Sequence, residues 1–202
     1  MHAAAHRSWS LSQGDDPLLT TALLVRDTLG LVVTAEDVPP PVTTPAPPRP
    51  SDGLAAAWLH WWRDLLRLVV EDHADPAPDD PAAMMAWATA REARRRHVGQ
   101  PLDGFAALAG TPELQDAARA VDRSDLAAAH EDAFAARSRH LGALSDVVAQ
   151  VSAERGVDPS SLHGTVVHVP APAHWWQPLA PGLVLASIHL PTPDAARAAW
   201  LA

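Results

Sequence analysis

Residues 54–70 read LAAAWLHWWRDLLRLVV, and this stretch decides the fold. His60, Arg63, Asp64, Arg67 and the following Glu71 recur at helical spacing on one side, and every other position is apolar. Trp58, Trp61, Trp62, Leu65, Leu66 and Val69 cover well over half of the circumference. A helix of this kind is contacted from several directions, so the segment 51–73, introduced by Ser51 and Asp52, is expected at the centre of the core.

Working outward, Asp16 followed by Pro17 opens an apolar-periodic run that stops at Gly30, the order of a capped helix with Pro at its first position. Asp80 and Pro81 start another, through Met84, Met85 and Trp87 to Gly99, with Trp87 at a core position. Thr111, Pro112 and Glu113 begin a short one, Ser124 opens the longest, running to Arg155 with Gly156 beyond its end, and Thr192 and Pro193 start a last one reaching Trp200. Residues 165–169 and 183–190 are short β-rich runs, and the alternation of 5–12 (Ala5, Arg7, Trp9 and Leu11 on one side) suggests an edge strand.

The fold class predicted is α+β and mainly α: four or five helices around the Trp-rich one, with a small antiparallel sheet from the C-terminal third. The prolines of 39–50, PPPVTTPAPPRP, exclude helix and central strand and predict a stiff extended spacer. The expected organisation is an N-terminal strand and helix in 1–38, the linker 39–50, and a main domain in 51–202. Whether 1–38 packs on its own chain or on a second copy, making a homodimer, stays open at this point.

Composition excludes more than it suggests. All 15 cations are Arg, Cys, Asn and Tyr are absent, and about a fifth of the 202 residues are Ala. A GC-rich genome, as in high-GC bacteria, explains this pattern without reference to function. Without Cys there is no disulfide framework, thiolate nucleophile or iron–sulfur cluster; without Lys there is no Schiff base and no Walker A lysine. A net charge of −9 disfavours nucleic acid. No run approaches a membrane span, the stretch MHAAAHRSWSLSQGDD has no apolar signal core, and a cytoplasmic location is expected.

Four constellations bear on chemistry. His163, His168, His174 and His189 fall within 27 residues, and neutral imidazoles suit zinc or another divalent metal. An antiparallel pairing with 169 opposite 183 would set His163 opposite His189; the competing reading is a set of surface and strand-end histidines. On the long helix, His130 and Arg137 interrupt an apolar stripe that Leu144 and Val151 continue, giving a candidate anion-reading pair in a small-ligand pocket, or a helix half that is simply exposed. Arg91, Arg94, Arg95 and Arg96 close a helix, where cations favour the macrodipole, and also make a basic patch for an acidic partner.

The fourth constellation is Trp175-Trp176, set among four prolines between Pro170 and Gly182. Adjacent rings in an extended loop cannot both point inward, and an exposed Trp is a common partner anchor. No H-E-x-x-H, G-x-S-x-G or G-x-G-x-x-G occurs. The reading that follows is a non-catalytic binding or accessory protein, without cofactor, that recognises a protein through the 170–182 loop and the Arg block. A His-based metal-dependent hydrolase and a small-ligand pocket protein are the alternatives.

Overall fold

The computed structural model describes residues 9–47, 52–75, 77–121, 127, 131, 144–172 and 174–202. Among these, the helices are α1 (Pro17–Thr28), α2 (Asp52–Ala74), α3 (Pro81–His97), α4 (Pro112–Ala120), α5 (Leu144–Arg155) and α6 (Thr192–Leu201). The strands are β1 (Ser10–Asp15), β2 (His163–Val169), β3 (Trp176–Ala180) and β4 (Leu183–Ser187). The protein is therefore α+β and mainly α, as its sequence implies. The chain gathers into two compact units, Pro17–Arg123 and Met1–Asp16 with Ser124–Ala202. That division differs from the expected break at the prolines, because β1 joins the C-terminal sheet while α1 packs on α2.

In the unit 17–123, α2 is the centre. Trp58 and Trp62 are fully buried and stack at 5.7 Å, and Trp61 is almost so. Each indole N–H, which must find an acceptor once buried, ties down a different segment. Trp58 donates to the Ala22 carbonyl on α1 (2.7 Å), Trp61 to the Val98 carbonyl after α3 (2.9 Å), and Trp62 to the Asp37 carbonyl in the loop beyond α1 (2.8 Å). Phe105, at φ 57°, adopts the left-handed conformation that side chains disfavour, and its buried ring meets Trp61 edge-on at 6.3 Å.

The described part of the proline-rich stretch, 39–47, is tied to α1. α1 is buried from Leu18 to Asp27, and its last turn carries a buried ion pair, Arg26 Nε to Asp27 Oδ1 at 2.7 Å. Arg26 also donates to the carbonyls of Pro39 (2.6 Å) and Pro40 (3.1 Å), while Asp27 Oδ2 accepts from the amides of Val42 (2.6 Å) and Thr43 (2.9 Å). Prolines leave their carbonyls free of any intrasegment partner, and Arg26 uses them. Gly30, at φ 62°, closes the helix beneath this strap, where a Cβ would stand 2.6 Å from the Pro47 carbonyl oxygen. Residues 39–47 are thus bound to α1; residues 48–50 lie outside the described set.

In the other unit the sheet order is β1-β2-β4-β3. β1 and β2 run parallel with Ser10 against His163 and Asp15 against His168; β2 and β4 are also parallel, with Thr165 against Leu183 and Val169 against Ser187. β3 alone is antiparallel, to β4. The expected antiparallel pairing of 165–169 with 183–190 is therefore corrected: Trp176–Ala180 supplies an extra strand, joined to β4 by the tight turn at Pro181 and Gly182 (φ 72°), and this reverses the direction in which 183–187 runs. Among the described residues the N-terminal strand is Ser10–Asp15, with Trp9 and Leu11 packed inward as the alternation required; Ala5 and Arg7 lie outside the described residues.

α6 covers one sheet face, placing Ala195, Ala198 and Ala199 on Val166, Val184 and Ala186. Trp200 sits against α5 residues Leu144, Val148 and Val151 and meets Trp9 edge-on at 5.5 Å. This close approach needs Gly164, since a Cβ there would lie 3.0 Å from both the Ala199 Cβ and the Trp200 ring. Of the long helix expected from Ser124, Ala127 and Glu131 are helical and α5 is Leu144–Arg155, with Gly156 (φ 64°) just past its end.

Candidate functional site

The four C-terminal histidines are dispersed. His163 starts β2, exposed, with Nδ1 2.8 Å from Ser10 Oγ. His168 is five residues on, fully buried on the opposite face, its Nε2 3.1 Å from the Gln13 side-chain amide. His189 follows β4, and the parallel register sets it at the far end of the sheet from His163, which removes the expected juxtaposition. His174 is exposed before β3. Among the described residues no three His, Asp or Glu side chains gather as a metal would require.

The Arg block is occupied from within the chain. Asp72, largely buried on α2, receives Arg91 Nε at 2.9 Å and Arg95 at 3.2 Å, with Arg94 at 3.6 Å. Arg94 also pairs with Asp75 at 2.9 Å. Arg96 bonds Glu92 at 3.3 Å; the Gln100 amide first, and Arg96 after it, hold the Glu92 carboxyl below its ordinary range. So Arg91, Arg94 and Arg95 fasten α3 to α2 and to Asp75 just beyond it, while the Arg96 pair lies within α3. Trp87 is half-buried rather than in the core: α3 has no buried residue, and the Trp87 indole donates to the Asp75 carbonyl at 2.9 Å with Arg91 stacked over the ring at 5.1 Å. His130 and Arg137 lie outside the described residues.

One feature escaped the sequence. A cleft of about 400 Å3 has Trp61, Leu108 and Leu114 in its floor and His60, Asp64 and His97 at its rim. Asp64 accepts from Arg67 at 2.7 Å and stands 3.4 Å from His60 Nε2, so the carboxylate is already balanced by its neighbours. The polar spacing of α2 was visible in the sequence. That His97 meets it was not, because only the packing of α3 brings the two together.

The tryptophan pair occupies the sheet edge. Trp175 is half-buried, and its carbonyl accepts from the Ser187 amide at 2.8 Å. Trp176, next along, opens β3 and is 47% exposed. In an antiparallel ladder hydrogen-bonded and non-bonded pairs alternate, so Trp176 (opposite Ala186) and Pro178 (opposite Val184) turn their backbone groups away from β4. Since β3 is the last strand in the order, those groups face outward from the sheet. Pro178 has no N–H to offer there, which blunts the edge against strand addition. The segment before β3 is also fixed: Ser187 Oγ donates to the Ala171 carbonyl at 2.5 Å and accepts from the His189 amide at 3.0 Å.

No family model, curated protein or solved structure matches this chain at a significant level.

Proposed function

We propose that this protein is a non-catalytic recognition module whose β3 edge reads a protein partner, with Trp176 as the anchoring side chain. The observation that carries this reading is the half-exposed indole of Trp176 on a strand held by its ladder to β4 and by the Ser187 bonds. A rigid aromatic anchor loses little conformational entropy on binding and buries a large apolar area, which is why Trp dominates interface energetics. Pro178 removes the outward N–H that an added strand would use, so the contact is made by side chains around the indole rather than by backbone pairing. Arg91, Arg94 and Arg95 are left out of this reading, because Asp72 and Asp75 already pair with their guanidinium groups.

The reading is tested by photo-crosslinking in the cell of origin. A benzophenone amino acid placed at His174, exposed two residues before Trp176 and leaving the indole in place, is expected to give a discrete protein adduct, while the same probe at Leu102, an exposed apolar residue far along the chain, gives none. Absence of an adduct from position 174, or identical adducts from both positions, would overturn the proposal.

A further inference from the structure

A helix in a folded protein is ordinarily stabilised by burying an apolar stripe. α3 has 17 residues and buries none of them, although its first half is PAAMMAWATA and Met85 is 71% exposed. The side turned to α2 is held by ion pairs through Arg91, Arg94 and Arg95. The side turned away forms a shallow groove lined by Met85, Ala88, Thr89, Glu92, Ala93 and Arg96. The two ends of the helix carry opposite charge: Asp79 and Asp80 precede it, and Arg96 and His97 close it.

We propose that this face pairs with the same face of a second copy, the two α3 helices running antiparallel about a two-fold axis at Thr89. An antiparallel pairing is the one that sets each acidic end on the other's basic end. With residue 89 on the axis, 82 falls opposite 96 and 85 opposite 93, so Met85 of each copy lies on the partner copy's small Ala93 side chain. Over roughly 25 Å of helix, each Arg96 then reaches toward the other copy's Asp79. Residues 88, 89 and 93 are small enough for close approach of the axes. One helix face is less than the roughly 800 Å2 per partner of a standard interface, so the association is expected to be weak and concentration-dependent. This inference concerns a different surface from β3 and stands independently of it.

Sedimentation equilibrium on the full chain over a concentration series tests it. The weight-average mass of the wild type is expected to rise from 21.4 kDa toward twice that value. Asp79→Arg alone and Arg96→Glu alone each place like charges at both ends of a homodimer and weaken it about tenfold or more, whereas an equimolar mixture of the two variants has opposite charges at both ends and regains the wild-type affinity. Thr89→Arg, on the axis and exposed, abolishes association and is not rescued by mixing. Circular dichroism of each variant confirms that α3 is retained. A wild type that stays at 21.4 kDa, or a dimer whose affinity is the same in all three variants, would overturn the proposal.

Discussion

Replacing Asp27 by Ala is expected to lower the free energy of unfolding by about 3–5 kcal/mol, measured by urea denaturation. The carboxylate is buried and makes three bonds, one to Arg26 Nε and two to the amides of Val42 and Thr43. Its removal leaves the Arg26 guanidinium buried without its counter-charge and two strap amides without an acceptor. Desolvating a charge costs several kcal/mol unless a partner offsets it, and loss of one partner exposes that cost in full. Asp64→Ala is the contrast within the same unit. Its pairs with His60 and Arg67 are solvent-exposed on the cationic side, and such pairs are worth about 0–1 kcal/mol. Similar losses for the two variants would show that the strap is not held by Asp27.

Trp200→Ala is expected to cost about 3–5 kcal/mol in the sheet-containing unit, again by denaturant titration. The ring is almost fully buried, meets Trp9 edge-on, and donates through Nε1 to the Ser10 carbonyl at 3.2 Å. Gly164 lies directly beneath it, and a glycine has no side chain with which to fill the space left behind. The substitution therefore opens a cavity between β2 and α5 and unties the start of β1 together. Trp200→Phe keeps most of the ring and loses the bond to Ser10, so it should recover more than half of the deficit. A loss below about 1 kcal/mol for the Ala variant would place the ring outside the core.

The helices were legible because their signals are local. Asp80 accepts from the Ala83 amide as an N-cap should, Pro17, Pro81 and Pro112 each open a helix, and Gly30, Gly99 and Gly156 end helices with positive φ. The sheet was legible only in content. β3 contains Pro178, which counts against a strand when the chain is read alone and is admissible once the strand is known to be an edge. Missing it inverted the direction of β4 and so brought His163 and His189 together on paper. The strap was hidden for a related reason: prolines report that a segment is extended, and nothing in them reports which donor their carbonyls meet. The Arg block read as a free surface because its partners, Asp72 on α2 and Asp75 just beyond its end, lie about twenty residues earlier in the chain.

The protein captured through position 174 provides the most direct test of the recognition reading. Titrated by calorimetry against the wild type and against Trp176→Ala, it should bind the variant at least about 30-fold more weakly, the loss expected of a central aromatic anchor. The far-ultraviolet dichroism of the two proteins should coincide, since the indole is half-exposed at a sheet edge. An affinity within about twofold of the wild type, with the fold intact, would contradict the assignment of Trp176 as the anchor of this surface.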